Sequence, residues 1–183
     1  MSLAYQLEPL YDRDVSTLRH FPKGVIVFDR DGTLVEDAGQ HNRKAMLSLL
    51  PGVPEGLKFL SELGFGIAVA SNQAGLESEK FTLKALRDFN LSMRRVLQEQ
   101  VHIDIDLIVI CPHLALSNCA CRKPKSGLLI AIEASGLGKI KLFVGDSESD
   151  AGAAKDFGVE YLQTDGTSLV NLIKTWAGKN AFS

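Results

Sequence analysis

Apolar residues fall along the chain in short unbroken runs separated by longer stretches of helical periodicity. The runs cover residues 25–28, ending at Asp29; 67–70, ending at Ser71-Asn72; 107–110, ending at Cys111; and 142–144, ending at Gly145-Asp146. Residues 159–162 form a shorter fifth run. Runs that are apolar at every position suit strands covered on both faces, whereas a half-exposed strand alternates. Between the runs lie helical patterns with recognisable ends. Pro54 opens one near its first turn and Gly64 closes it. Thr82 can cap a long helix reaching about residue 100, with Leu83, Leu86, Phe89 or Asn90, Met93 and Leu97 at helical spacing. Residues 126–135 precede Gly136, residues 148–157 precede Gly158 with Ser149 as the expected cap, and a last helix is expected over 168–176.

Alternation of strand and helix predicts an α/β fold, a mostly parallel sheet with right-handed crossovers and helices on both faces. No internal repeat or linker interrupts it, so residues 25–183 read as a single domain. Residues 1–24 read as an irregular N-terminal arm, docked through Leu7, Leu10, Tyr11 and Phe21. A chain of 183 residues is enough for one such core. Twenty Lys and Arg against 22 Asp and Glu give a net charge of −2, which argues against a nucleic-acid or membrane-surface binder. No apolar stretch approaches the ~18 residues of a membrane span. The arm carries Glu8, Asp12, Arg13 and Asp14 without an apolar segment, unlike a secretory signal. The expectation is a soluble, monomeric, cytoplasmic protein.

In open parallel sheets, ligands sit beyond the carboxyl ends of the strands. Those ends carry Asp29 and Asp31, Ser71 and Asn72, and Asp146 with Asp150, while Arg122-Lys123 follows the third run after the cysteine loop. An isolated Asp-x-Asp-Gly is common in surface turns; its place after a buried strand, with partners at other strand ends, points to one crevice. Carboxylates from two strands suit a hard cation such as Mg²⁺, which takes one or two carboxylates plus substrate phosphate. Lys123 can neutralise phosphoryl oxygens, Ser71 and Asn72 can hydrogen-bond to them, and Gly32 lets the backbone turn tightly toward a phosphate. One Asp can act as nucleophile and another as acid and base. The set suits phosphoryl transfer.

These residues carry a resemblance. Asp29-Arg30-Asp31-Gly32-Thr33, Ser71, Lys123 and the segment from Gly145-Asp146 to Asp150 resemble, in order, the four motifs of the haloacid dehalogenase-like superfamily. Ser71-Asn72-Gln73-Ala74-Gly75 and Cys111-Pro112-His113, followed by Cys119-Ala120-Cys121-Arg122-Lys123-Pro124, look like one branch of it. That branch holds the D-glycero-D-manno-heptose 1,7-bisphosphate phosphatases and the histidinol-phosphate phosphatases. The resemblance spans residues 24–164 and implies a Rossmann-like sheet with Asp29 as nucleophile and Mg²⁺ ligand. It implies Asp31 as general acid/base whose main-chain carbonyl also binds the metal, and Ser71 as holder of the phosphoryl group. Lys123 would stabilise nucleophile and phosphate, Asp146 would complete the metal site, and Asp150 would support it through water or hydrogen bonds. Arg122 and Asn72 would contact substrate. The choice of Asp29 over Asp31 as nucleophile rests on the family alone.

All three cysteines lie in one short loop, which argues against a disulfide framework. Cys111, His113, Cys119 and Cys121 supply four ligands, sufficient for a closed, structural Zn²⁺ site in a loop over 111–121. Three buried reduced thiols, or a catalytic Cys–His pair, are the other readings. A rigid zinc loop would aim Arg122 and Lys123, which follow it directly.

The span 35–52 is too short for a large cap domain, so specificity should come from loops. Arg43, Lys44, Arg122 and Lys125 are candidates for the second phosphate of a sugar bisphosphate, and Glu36, Asp37 or Glu77 would suit the amine of histidinol phosphate. Ala38-Gly39-Gln40-His41 departs from the tyrosine-valine-histidine-like segment of many heptose enzymes. The sequence thus favours a small phosphorylated metabolite as partner: the heptose bisphosphate, with histidinol phosphate or another phosphomonoester as alternative. A zinc-containing binding module without turnover is the non-enzymatic alternative. A polynucleotide 3′-phosphatase shares the first motif, but the net charge and the lack of a basic-aromatic stripe argue against it.

Overall fold

A computed structural model of the chain describes residues 8–36 and 47–180. Five parallel strands, β2 (Val25–Phe28), β3 (Gly66–Asn72), β4 (Leu107–Cys111), β5 (Ile140–Gly145) and β6 (Glu160–Gln163), join β1 (Leu10–Tyr11) in a sheet of order β1-β4-β3-β2-β5-β6. Helices α1 (Val53–Glu62), α2 (Leu83–Val101), α3 (Gly127–Ala134), α4 (Glu148–Phe157) and α5 (Leu169–Asn180) cover both faces. Side chains alternate along each strand, and in β2, β3 and β4 both alternating sets are buried. Ile26 and Phe28 of β2, with Ile108 and Ile110 of β4, pack against Leu57 and Leu60 of α1, Met93 and Leu97 of α2, and Ile173 and Trp176 of α5. Val25, Val27, Leu107 and Val109 face the other way, onto Leu128 and Ile132 of α3 and Ala153 and Ala154 of α4. This double coverage explains why the strands read as continuous apolar runs.

Helix boundaries follow local chemistry. Thr82 caps α2 by accepting from the Ala85 amide at 3.1 Å, and α4 stops at Gly158, whose φ of +84° a side chain would oppose. Three expectations need correction. The cap of α4 is Ser147, not Ser149: its hydroxyl accepts from the Asp150 amide while Asp150 Oδ2 accepts from the Ser147 amide at 3.1 Å, a reciprocal box that Ser149 lacks the spacing to form. The last helix continues to Asn180, past the expected end at residue 176. The N-terminal arm is not wholly irregular, because Leu10 and Tyr11 pair antiparallel with Ile110 and Val109. Asp12 extends that pairing: its amide donates to the Ile108 carbonyl (3.0 Å) and its Oδ1 accepts from the Ile108 amide (2.8 Å). Arg94 of α2 holds the other Asp12 oxygen at 2.5 Å. Phe21 packs against the core as expected, whereas Leu7 lies outside the described residues.

From β2 the chain runs outward through β3 to β4, then returns to the other side of β2 with β5 and β6. The direction of winding therefore reverses between β2 and β5, where an open α/β sheet forms its ligand crevice. Asp29 and Asp146 stand at the ends of these two strands. No large cap domain covers them among the described residues. No helix among those residues is long and apolar enough to cross a membrane.

Candidate active site

β2 delivers Asp29 into a nearly dry position, 8% exposed. Lys123, which follows the cysteine loop, reaches under the strand ends and is 4% exposed. Its Nζ donates to Asp29 Oδ1 at 2.6 Å and to the Ala70 carbonyl at 2.9 Å. The same ammonium lies 2.6 Å from Asp150 Oδ1, a charge contact that misses the direction of a hydrogen bond and leaves this fully buried oxygen without a directed partner. Burial pushes the Asp29 carboxyl up to about 6; Lys123 opposes the rise and Asp150 adds to it. Burial disfavours the Lys123 ammonium, but Asp29 and Asp150 outweigh it and hold Lys123 above the ordinary lysine range. Asp146 is also raised, first by burial and then by Asp150.

Asp29, Asp146 and Asp150 place carboxylate oxygens within 4.8 Å of one another. Oxygens opposite each other on an octahedral Mg²⁺ stand about 4.2 Å apart. The hard, all-oxygen donor set and the undirected Asp150 oxygen fit such a cation. Glycines clear the space: a Cβ on Gly32, whose φ is +81°, would fall 2.2 Å from Asp146 Oδ2. A Cβ on Gly145 would fall 2.6 Å from the Asp150 carboxyl. Thr33 approaches Asp146 Oδ1 at 3.5 Å.

Asp31 is gripped from two sides. The Arg30 guanidinium donates to both of its carboxylate oxygens at 2.9–3.2 Å, and Gln73 Nε2 donates to Oδ2 at 2.7 Å. Gln73 Nε2 also reaches Ser71 Oγ at 2.7 Å, so one amide links the Ser71 and Asp31 side chains.

The cysteine loop forms a tight cluster in which Cys111, His113, Cys119 and Cys121 are each at most 2% exposed. Sulfur atoms stand 3.6 Å (Cys111–Cys119) and 3.5 Å (Cys119–Cys121) apart, and His113 Nδ1 lies 3.5 Å from Cys111 and 3.2 Å from Cys121. The cysteines form no disulfide. With ligand bonds of about 2.3 Å to sulfur and 2.0 Å to nitrogen, a tetrahedral zinc site has edges of roughly 3.8 and 3.5 Å, so the cluster is a zinc-sized cage. The hydrogen bond from Cys121 pulls the Cys111 thiol down to about 5.

The loop is tied to the crevice by two side chains. Asn72 accepts from the Lys123 amide and donates to the Lys123 carbonyl, both at 3.1 Å, which engages both ends of an amide expected to meet substrate. Glu77, offered as a partner for a substrate amine, instead braces the loop: it accepts from the Leu114 amide and from Ser117 Oγ at 2.7 Å. Arg122 donates to the His113 carbonyl at 3.0 Å and lines a small cleft with Lys123 and Lys125.

The structure thus gathers Asp29, Asp31, Ser71, Asn72, Lys123, Asp146 and Asp150 around one crevice, with Arg122 at its edge. Arg43, Lys44, Asp37 and the Ala38-Gly39-Gln40-His41 segment lie outside the described residues. Sequence reasoning missed Arg30, Gln73 and Asn90, buried at 1%, 3% and 3% exposure. Asn90 did carry a signal, a polar residue on the apolar stripe of α2.

A doubly covered parallel sheet with three aspartates and a buried lysine at its switch point defines the haloacid dehalogenase-type phosphatase fold. The chain belongs to the family described as polynucleotide kinase 3 phosphatase, which matches residues 24–166. Among curated proteins it resembles the D-glycero-beta-D-manno-heptose-1,7-bisphosphate 7-phosphatase of Neisseria meningitidis, 35% identical over 107 residues. That alignment takes in 57% of this chain and only 56% of the relative. The histidine biosynthesis bifunctional protein HisB of Baumannia cicadellinicola is 35% identical over 147 residues, 77% of this chain and 41% of that protein. A crystal structure of the D,D-heptose 1,7-bisphosphate phosphatase from B. bronchiseptica, complexed with magnesium and phosphate, superposes with a TM-score of 0.76 at 25% identity. It covers 85% of this chain and 99% of that one.

Proposed function

We propose that the chain is a Mg²⁺-dependent phosphomonoesterase that works through a phosphoryl-aspartate on Asp29, with D-glycero-D-manno-heptose 1,7-bisphosphate as its substrate and the 7-phosphate as the group removed. The observation that carries this reading is the buried Lys123 ammonium set between Asp29 and Asp150 at the ends of the strands. A carboxylate held dry beside a fixed cation is poised to attack phosphorus, and the cation remains to offset charge on the phosphoryl oxygens. Mg²⁺ held by Asp29, the Asp31 carbonyl and Asp146, with Asp150 in support, would lower the repulsion between that carboxylate and the phosphate. In the first half-reaction Asp29 oxygen bonds to phosphorus, the bond to the leaving oxygen breaks, and Asp31 supplies its proton. In the second, water displaces phosphate from Asp29 and gives a proton back to Asp31. Ser71 would hold a phosphoryl oxygen.

Zinc in the Cys111, His113, Cys119 and Cys121 cage would fix the loop that aims Lys123, a structural role, since four protein ligands leave no open position. Arg122 and Lys125 bring positive charge beside the Lys123 cleft, held there by the His113 carbonyl and by Asn118 and the Cys119 carbonyl, and that charge favours a bisphosphate. Histidinol phosphate is the second reading, favoured by the HisB relative. Engagement of Glu77 by the zinc loop weighs against it, because that carboxylate no longer faces a free partner. We place the enzyme in the cytoplasm as a monomer acting on this small metabolite, in keeping with its three unpaired thiols.

Phosphate release with Mg²⁺ from the heptose bisphosphate and from L-histidinol phosphate, measured side by side, tests the reading. A kcat/KM preference of about 100-fold, worth about 2.7 kcal/mol, names the substrate. Asp29→Asn is expected to abolish turnover with zinc content unchanged; an active Asp29→Asn protein refutes the mechanism.

A further inference from the structure

The residue between the two motif aspartates has the geometry of a device. Arg30 is a charged side chain only 1% exposed. Its guanidinium forks onto both oxygens of Asp31, as described above, and a remaining nitrogen, Nη1, donates to Asn90 Oδ1 at 3.0 Å. Its Cζ lies 4.7 Å above the centre of the Phe89 ring. Asn90 and Phe89 both belong to α2, whose packing on the sheet through Leu86, Met93 and Leu97 gives them a fixed position. A buried guanidinium is costly unless every face is occupied. Here the carboxylate, the amide oxygen and the ring occupy it, and together they allow few other orientations of Arg30.

We propose that Arg30, locked by Asn90 and Phe89, is the positioning residue that holds the Asp31 carboxylate in place as proton acceptor for breakdown of the phosphoryl-aspartate. The inference rests on the phosphoryl-Asp29 mechanism proposed above. In that step a water oxygen bonds to phosphorus and the bond from phosphorus to Asp29 breaks. Asp29 leaves as a carboxylate, phosphate departs, and the proton of the water passes to Asp31. A guanidinium paired to both Asp31 oxygens fixes where that carboxylate sits and the direction in which its lone pairs meet this proton. The forward half-reaction with a leaving group that departs without a proton makes no such demand on Asp31. The two halves of the cycle therefore depend on Arg30 unequally, which separates positioning from simple support of the fold.

Asn90 offers the cleaner perturbation because it touches Arg30 and not the reacting atoms. With the Mg²⁺- and zinc-loaded enzyme and p-nitrophenyl phosphate, the phosphoenzyme is trapped by acid quench, and its formation and its decay after a chase are timed separately. General-base assistance is worth roughly 10²–10⁴-fold, and loosening its orientation forfeits part of that. Asn90→Leu is expected to slow decay about 10- to 100-fold while formation stays within about 3-fold, so that kcat and KM fall together and phosphoenzyme accumulates. Arg30→Lys keeps the charge but cannot fork onto Asp31 and reach Asn90 together. It is expected to show the same split, and it serves if Asn90→Leu does not fold. Unchanged decay in a folded variant, or formation and decay slowed alike, overturns the inference. Absence of any phosphoenzyme in the wild-type protein overturns the mechanism on which it rests, a result distinct from either.

Discussion

Replacing Asp29 by Asn should make the protein more stable while destroying its activity. The Asp29 carboxyl sits at 8% exposure with its pKa pushed up to about 6 by burial. An unfolded aspartate titrates near 3.9, so the folded state raises it by about two units, equivalent to about 3 kcal/mol. The sign follows from proton binding. Between about pH 4 and 6 the folded state holds more protons than the unfolded one, so stability falls as pH rises through this window. The penalty is absent below the unfolded value and complete above the folded one. Asn cannot ionise and escapes the penalty at every pH. For a domain of this size 1 kcal/mol moves the melting temperature by about 2–4 °C, so in magnesium-free buffer at pH 7.5 Asp29→Asn should melt roughly 6–12 °C above wild type. Thermal melts followed by circular dichroism should show this gap closing as the pH is lowered to 4. Mg²⁺ should also close it, because a cation at 100 times its Kd stabilises the wild-type fold by about 2.7 kcal/mol and has lost a ligand in the variant. A variant that melts below wild type at pH 7.5 without Mg²⁺, or a gap that ignores pH, refutes the account of Asp29 as a strained group.

Two further outcomes follow from the loop that carries Lys123. Elemental analysis of the purified protein should find one zinc per chain, and Cys121→Ser or a strong chelator should lower both the melting temperature and turnover; a stripped protein with full activity refutes the aiming role. Asn72→Leu removes two hydrogen bonds to the Lys123 backbone, about 1 kcal/mol each, and should destabilise by about 2 kcal/mol and slow turnover about 10-fold with zinc retained. Wild-type kinetics in that variant would refute the coupling of Asn72 to Lys123.

What was legible in the sequence is what depends on neighbours along the chain. The strand runs before Asp29, Ser71, Cys111 and Gly145 are apolar at each position because two helical layers cover them, and the site residues follow because such sheets present ligands at strand ends. The cage of Cys111, His113, Cys119 and Cys121 is equally local. Features set by distant partners were not legible. Arg30 reads as a solvated charge until Asn90, sixty positions away, is placed against it. β1 is two residues beside a proline and has no period to detect; only the open flank of β4 makes it a strand. Ser147 was a matter of register, since only its spacing to Asp150 closes the cap.

The short pairing of Leu10 and Tyr11 on β4 bears on how the molecule avoids its own kind. Without them, β4 would be the outermost strand, a five-residue apolar ladder reading Leu-Ile-Val-Ile-Cys with its amides and carbonyls bare. Such a border is a template on which a second chain can add, the first step of aggregation. Leu10 and Tyr11 close that border, and Asp12 occupies both the amide and the carbonyl of Ile108. Arg94 holds the other Asp12 oxygen, so the sheet ends on a mostly buried ion pair and not on an open seam. Residues 10–12 thus act as a selvedge: trimming them would bare the border of β4 and should turn the molecule toward self-association.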